Sequence, residues 1–136
     1  MTLRLLYPAL AQMLWTFAVM VILFDRRRRA FAAGEVSHQD IAQSAEHYPA
    51  PARRAAANFA NQFETPVLFY ALAIMATMVS ATNHVMVVLA WGYVATRVAH
   101  TLVHVGGNDL RIRAPIFALG VALLFGLWLG VVLKVV

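Results

Sequence analysis

The chain contains no cysteine in 136 residues. That excludes a disulfide framework and a cysteine nucleophile, so any thiol chemistry must use a sulfur carried by the substrate. Charge is also scarce: 12% of residues are charged and 62% are hydrophobic, whereas a soluble domain has about a quarter charged and about half apolar. With a mean hydropathy of +0.70, a soluble domain with one small core is excluded and an integral membrane protein is indicated. Acidic residues number six against eleven basic, for a net charge of +5. In a soluble chain that balance would suggest nucleic acid. Here the basic residues fall largely into two blocks beside apolar segments, a topological pattern, and no nucleic acid partner is expected. The length allows one domain, residues 1–136, and no internal repeat is evident.

The first apolar run spans residues 5–24, about the length that crosses a hydrocarbon core. It is too long for a signal-peptide core, and its basic cluster Arg26-Arg27-Arg28-Arg29 follows it instead of preceding it. Pro8 is tolerated in the opening turns. The arginines place residues 25–51 on the cytoplasmic side and the N-terminus outside. Within this loop Ser37 and Asp40 have capping-box spacing, which predicts a short helix to about Glu46 before Pro49 and Pro51. His38 and His47 read as solvated.

A second helix is expected over 52–79, kinked between Gln62 and Pro66. The turn Ser80–His84 has no Lys or Arg and belongs outside. A third helix covers 85–104, a basic turn runs from Gly106 to Arg113, and a fourth helix covers 114–135 with Pro115 in its opening turn. The expected fold is all-α: an integral membrane four-helix bundle, left-handed and up-down, with both termini on the outer side. Ala118, Ala122, Gly126 and Gly130 repeat along the fourth helix, fit for close packing either within the chain or between subunits.

The second helix carries a polar stripe. At helical pitch Arg54, Asn58 and Asn61 fall within roughly 60° of one another and Glu64 within about a further 60°. Arg97, His100 and His104 share a face of the third helix. Counted from Thr82 in the outer turn, Glu64 and His100 are equidistant, as nearly are Asn61 and His104, and Arg54 and Arg111. The hairpin therefore sets two polar stripes at matched depths in its cytoplasmic half. Polar groups in a bilayer must face protein, ligand or water. One reading is a buried Glu64–Arg97 ion pair that fixes register. A second is a pocket for an anionic, partly peptide-like molecule, with Arg54, Arg97, Arg111 and Arg113 taking carboxylates, Glu64 an ammonium and the Asn amides peptide groups. The surplus of cations over one carboxylate favours the pocket. No metal is expected: beside His100 and His104 there is no third histidine, cysteine or acidic cluster.

Asn61-x-x-Glu64-x-Pro66, then Arg97-x-x-His100-x-x-x-His104, then a basic turn leading to Arg113-Ala-Pro115 form an ordered set. It resembles the family of membrane-associated proteins in eicosanoid and glutathione metabolism (MAPEG), in a bacterial-type member. The resemblance covers all four spans, with the motifs between Arg53 and Pro115. It implies a homotrimer in the bacterial inner membrane with periplasmic termini, binding glutathione as co-substrate between subunits near the cytoplasmic face. By position, Asn61 and Glu64 would hold the glutathione backbone, with Arg54 and Asn58 on the same face. Arg97 would support the carboxylates, and His100 and His104 stand where relatives often have tyrosine or histidine. Arg111 or Arg113 would be the cation that stabilises the thiolate. Two positions depart from the pattern: Ala57 stands where relatives commonly carry arginine, and His104 replaces a tyrosine. The implied activity is a glutathione transferase or peroxidase acting on hydrophobic small-molecule electrophiles. The alternative is a non-catalytic accessory subunit or a scaffold binding membrane lipids, with a purely structural polar network.

Overall fold

A computed structural model describes residues 3–136. All its regular elements among these residues are helical: α1 (Leu6–Ala32), preceded by a 3-10 turn at Leu3–Leu5, α2 (His38–Gln43), α3 (Ala50–Asn61), α4 (Thr65–Met78), α5 (His84–Val105) and α6 (Leu110–Val135). A further 3-10 turn at Ala45–His47 follows α2. Among the described residues three helical stretches are long and apolar enough to cross a membrane: Leu3–Ala32, His84–Val105 and Leu110–Val135.

Three boundaries differ from the sequence expectation, each for a local reason. The first helix does not end with its apolar run at Phe24 but continues through the arginine cluster. Asp25 supports this extra turn through ion pairs with Arg28 at 3.2 Å and Arg29 at 2.7 Å, the three- and four-residue spacings that face one another on a helix. It stops at Gly34, whose φ of +69° costs a glycine little. There the Glu35 N–H donates to Ala30 O and the Gly34 N–H to Phe31 O, each at 3.0 Å, closing a Schellman motif.

The expected second helix is broken, not kinked. Between α3 and α4 the N–H groups of Gln62, Phe63 and Glu64 donate to carbonyls three residues back, at 3.0, 3.0 and 3.5 Å. Pro66 lacks an N–H to donate to the Gln62 carbonyl and its ring would clash with that group, so the helix ends and restarts with Pro66 in the first turn of α4. The basic turn before the last helix is also shorter than expected. Asp109 caps α6 by accepting from the Arg111 N–H at 2.9 Å, so Arg111 and Arg113 lie on its first turn.

One expectation holds closely. Ser37 and Asp40 form the reciprocal capping box of α2: the Asp40 N–H donates to Ser37 Oγ at 3.2 Å and the Ser37 N–H to Asp40 Oδ2 at 2.9 Å. These bonds hold the Asp40 carboxyl below its ordinary pKa, the side-chain bond from the Ser37 hydroxyl foremost. At the start of α5, Asn83 Oδ1 accepts from the Met86 N–H at 3.0 Å.

α5 packs against α6, α1 and α3; α4 lies against α6 and α1; α3 lies against α1. The main apolar core joins Phe69, Leu72 and Ala76 of α4, Met86, Ala90 and Tyr93 of α5 and Leu124, Leu127 and Val131 of α6. A second small cluster of Ala30, Val36, Tyr48 and Ala52 seats the loop under the Arg27 guanidinium, which lies 5.0 Å from the centre of the Tyr48 ring. Gly126 and Gly130 face Leu89 and Met86 of α5, which puts these two members of the small-residue series in intrachain packing.

Burial is inverted relative to a soluble protein. Leu14 (70% exposed), Phe17 (61%), Phe125 (60%) and Leu133 (73%) face outward, while Gln12, Asn58, Gln62, Arg97, His100, Thr101 and His104 are buried. Water would penalise that apolar surface and lipid does not, so the helices are those of a membrane protein.

Candidate functional site

The break between α3 and α4 ends α3 against α5 and opens a space beside the start of α6. Lined by Asn61, Glu64, His100, Leu110, Arg113, Ala114 and Phe117, it is an open cavity of about 280 Å³. Glu64, the exposed residue just before α4, enters it from the break. The Asn61 amide, oriented with its nitrogen toward the carboxylate, donates to Glu64 at 2.7 and 3.1 Å. That orientation is assigned from the partners, since the reverse would set oxygen against oxygen. Arg113 enters from the first turn of α6 and donates through Nη1 to Asn108 Oδ1. Asn108 adopts φ +54° in the turn between α5 and α6, and the bond fixes the long Arg113 side chain at the cavity wall.

His100 lies on the inner wall, 4% exposed, its ring 5.7 Å from that of Phe117. Its Nδ1 has no hydrogen-bond partner. Deeper still, Arg97 is 2% exposed and donates through Nη2 to the Asn61 carbonyl at 3.2 Å, while its Nε has no partner. That carbonyl belongs to the end of α3, where the broken ladder leaves acceptors free. Arg97, with Thr65, Tyr93, His100 and Phe117, lines a separate narrow crevice that shares His100 and Phe117 with the cavity.

Glu64 and Arg97 form no ion pair; the ion pairs among the described residues are those of Asp25 with Arg28 and Arg29 and of Glu46 with Arg53. The self-contained Glu64–Arg97 pair that could have explained both residues as a register device is absent. Instead the exposed Glu64 carboxylate and the Arg113 guanidinium share one cavity, and Arg97 lies buried behind it with its Nε unpartnered.

The remaining sequence candidates separate from this cavity. Asn58, one turn before Asn61 on α3, is fully buried, its amide nitrogen 3.3 Å from His104 Nδ1. Both belong to a buried network that the sequence reading missed. Gln62 Nε2 donates to Asn58 O at 3.2 Å, to Asn58 Oδ1 at 3.4 Å and to Thr101 Oγ1 at 3.5 Å. Gln12 Nε2 donates to Gln62 Oε1 at 3.1 Å, and Trp15 Nε1 to Thr101 Oγ1 at 3.2 Å. Gln12 carried a usable signal: a lone amide in an apolar run needs a partner inside the bundle. Arg54 is half-buried and lies outside the cavity lining, with Nε unpartnered. Arg111 is exposed and also lies outside that lining. Of the two arginines offered as the thiolate cation, Arg113 is the one at the cavity.

The donor set can hold a zwitterionic, peptide-like molecule: Glu64 for an ammonium, Arg113 for carboxylate or thiolate, the Asn61 amide for a peptide group. Among the described residues no group of three or more His, Cys, Asp or Glu is placed to hold a metal ion.

No curated protein and no solved structure matches the chain. The model of the MAPEG family matches residues 5–133, nearly the whole length. That match spans α1 to α6 and includes the cavity residues on α3, α5 and α6, and on this ground the chain belongs to the MAPEG family.

Proposed function

We propose that this protein is a membrane-bound glutathione transferase or peroxidase acting on hydrophobic electrophiles, with the cavity at the α3–α4 break as its glutathione site. α3 and α4 together then cross the bilayer as one interrupted span, giving four spans with both termini periplasmic in a bacterial inner membrane. Non-helical backbone is tolerated at membrane depth where it lines a cavity, as the break does here. The working assembly is a homotrimer, in which a neighbouring subunit closes the open side of the cavity.

The observation that carries this reading is an open polar cavity that holds Glu64 and Arg113, with Glu64 in no ion pair with either Arg113 or the buried Arg97 behind it. Glutathione supplies an ammonium, two carboxylates and two peptide groups to the donors named above, and its sulfur is the nucleophile that the chain lacks. A thiol of pKa about 8.5 is only about 3% ionised at pH 7. The Arg113 guanidinium, held by Asn108, favours the anion and raises that fraction. Arg97 and the free His100 nitrogen bind the polar parts of the tripeptide, and Phe117 offers an apolar wall to the electrophile.

The test is glutathione conjugation of a chlorinated nitrobenzene by the purified protein in detergent, with Arg113→Ala and Arg111→Ala compared. Arg113→Ala is expected to lower kcat at least tenfold and remove the thiolate absorbance at the ultraviolet edge, while Arg111→Ala retains both. Equal loss in the two variants would contradict the assignment to Arg113. The buried network around Gln62 favours a second reading, an accessory subunit whose polar residues serve structure alone. That reading requires that glutathione does not bind at all.

A further inference from the structure

We propose that the crevice between the cationic end of α1 and the last turn of α5 binds one anionic glycerophospholipid. It is lined by Val21, Ile22, Asp25, Arg26, Arg29 and Val105, with a volume of about 360 Å³. The five α1 residues recur at three- and four-residue steps and so form one stripe of that helix. Val105 closes the crevice from the end of α5. The lining is ordered along the helix axis, with apolar Val21 and Ile22 on one side of Asp25 and cationic Arg26 and Arg29 beyond it. A phospholipid has the same division, acyl chain then phosphate, and the change of character from Phe24 to Arg26 marks the level of the membrane interface.

The charges within the crevice are unequally committed. Asp25 accepts from Arg28 at 3.2 Å and Arg29 at 2.7 Å, which ties Arg29 to the wall. The Arg26 side chain makes no ion pair or hydrogen bond among the described residues. Two guanidiniums thus line the crevice beside one carboxylate, and an added anion at Arg26 meets uncompensated positive charge over an apolar floor. A basic stretch on a single helix would attract any anionic surface. Here a second helix supplies the floor, and the crevice holds a single molecule. A second copy of this chain is a poorer occupant, because its own arginine blocks would lie at the same depth. The crevice shares no residue with the Glu64–Arg113 cavity, so this inference does not rest on the proposed glutathione chemistry.

The test is native mass spectrometry of the full-length protein in neutral detergent, titrated with phosphatidylglycerol or phosphatidylcholine. Wild type is expected to retain one phosphatidylglycerol and to bind phosphatidylcholine at least tenfold more weakly. Arg26→Gln removes a side chain that no bond in the fold uses, so it should fold normally. It should weaken phosphatidylglycerol about fivefold, the contribution of one basic residue at an anionic surface. Val105→Trp keeps every charge, fills the floor and should reduce binding at least as much. Arg4→Gln, a charge change at the other end of the span, should leave binding unchanged. Equal affinity for the two lipids, or an Arg26→Gln variant that binds as wild type does, would overturn the proposal. So would displacement of the lipid by an equal concentration of free glycerol phosphate, since the site would then recognise a small anion and not a lipid.

Discussion

Removing the side-chain amide of Gln62 should be worse than removing it together with its partner Gln12. Gln62→Leu keeps the volume but takes away the donor to Asn58 Oδ1 and the acceptor of the Gln12 amide, a 3.1 Å bond between fully or almost fully buried groups. Gln12 Oε1 already has no partner, so the whole Gln12 amide is stranded in the bundle. A buried polar group left unpaired costs about 1–3 kcal/mol, and an interhelical bond in a membrane bundle averages about 0.6 kcal/mol with an upper end near 1.7. Two stranded groups place Gln62→Leu at roughly 2–6 kcal/mol. Gln12→Leu strands only Gln62 Oε1, while the three Nε2 contacts survive, and should cost about 1–2 kcal/mol. In the double variant the Gln12 amide no longer exists to be stranded, so its cost should not exceed that of Gln62→Leu alone. The assay is a double-mutant cycle by thermal or denaturant unfolding in detergent, followed by circular dichroism. Single-variant costs that add to within about 0.3–0.5 kcal/mol would show that the two amides do not interact and would refute the network.

Gly130→Leu should destabilise the protein by about 1–3 kcal/mol, because a Cβ there meets Met86 Sδ across the α5–α6 interface; shortening Met86 to Ala in the same chain should recover part of the loss, read from the melting temperature. Trp15→Phe should remove the bond to Thr101, a loss of about 0.5–1.5 kcal/mol; an unchanged unfolding midpoint would show that the bond does not contribute. The Asp40 cap should respond to acid. Because its pKa is lowered in the folded protein, its contribution is complete above the ordinary carboxylate range near pH 4. It is lost as the pH falls through the lowered value. Hydrogen exchange of the α2 amides should therefore accelerate at acid pH in wild type, relative to Asp40→Asn, after correction for the intrinsic rate.

The parts of the fold legible in sequence were those fixed by local chemistry. Ser37 and Asp40 announce the α2 cap, and the ends of α5 lie within a residue of their expected positions because the polar turns on both sides have no helical alternative. Equal distance from Thr82 correctly brought Glu64 and His100 to one cavity, since antiparallel helices rise equally per residue. The same count paired Asn61 with His104, whereas His104 meets Asn58, about one turn away on α3. The ruler assumes an unbroken helix, and the tightened backbone at Gln62 to Glu64 changes the rise where it matters. Sequence could place Pro66 but could not decide between kink and break, which depends on whether neighbouring groups take up the freed carbonyls. Here the Arg97 guanidinium takes that of Asn61. Helical angle also put Arg54, Asn58, Asn61 and Glu64 on one face. In the structure Asn61, the last residue of α3, and Glu64, after the break, line the cavity, while Asn58 one turn earlier is buried against His104. The choice between Arg111 and Arg113 required knowing that α6 begins at Leu110, and that Asn108 can take the left-handed backbone from which it holds Arg113.

Calorimetric titration of glutathione into the detergent-purified protein, in parallel with Glu64→Ala and Arg97→Ala, tests the central claim most directly. Wild type should bind with a measurable heat, and each variant should lose at least tenfold in affinity while keeping the helical circular dichroism of the folded bundle. Undiminished binding in both variants would contradict the assignment of Glu64 and Arg97 to a glutathione site.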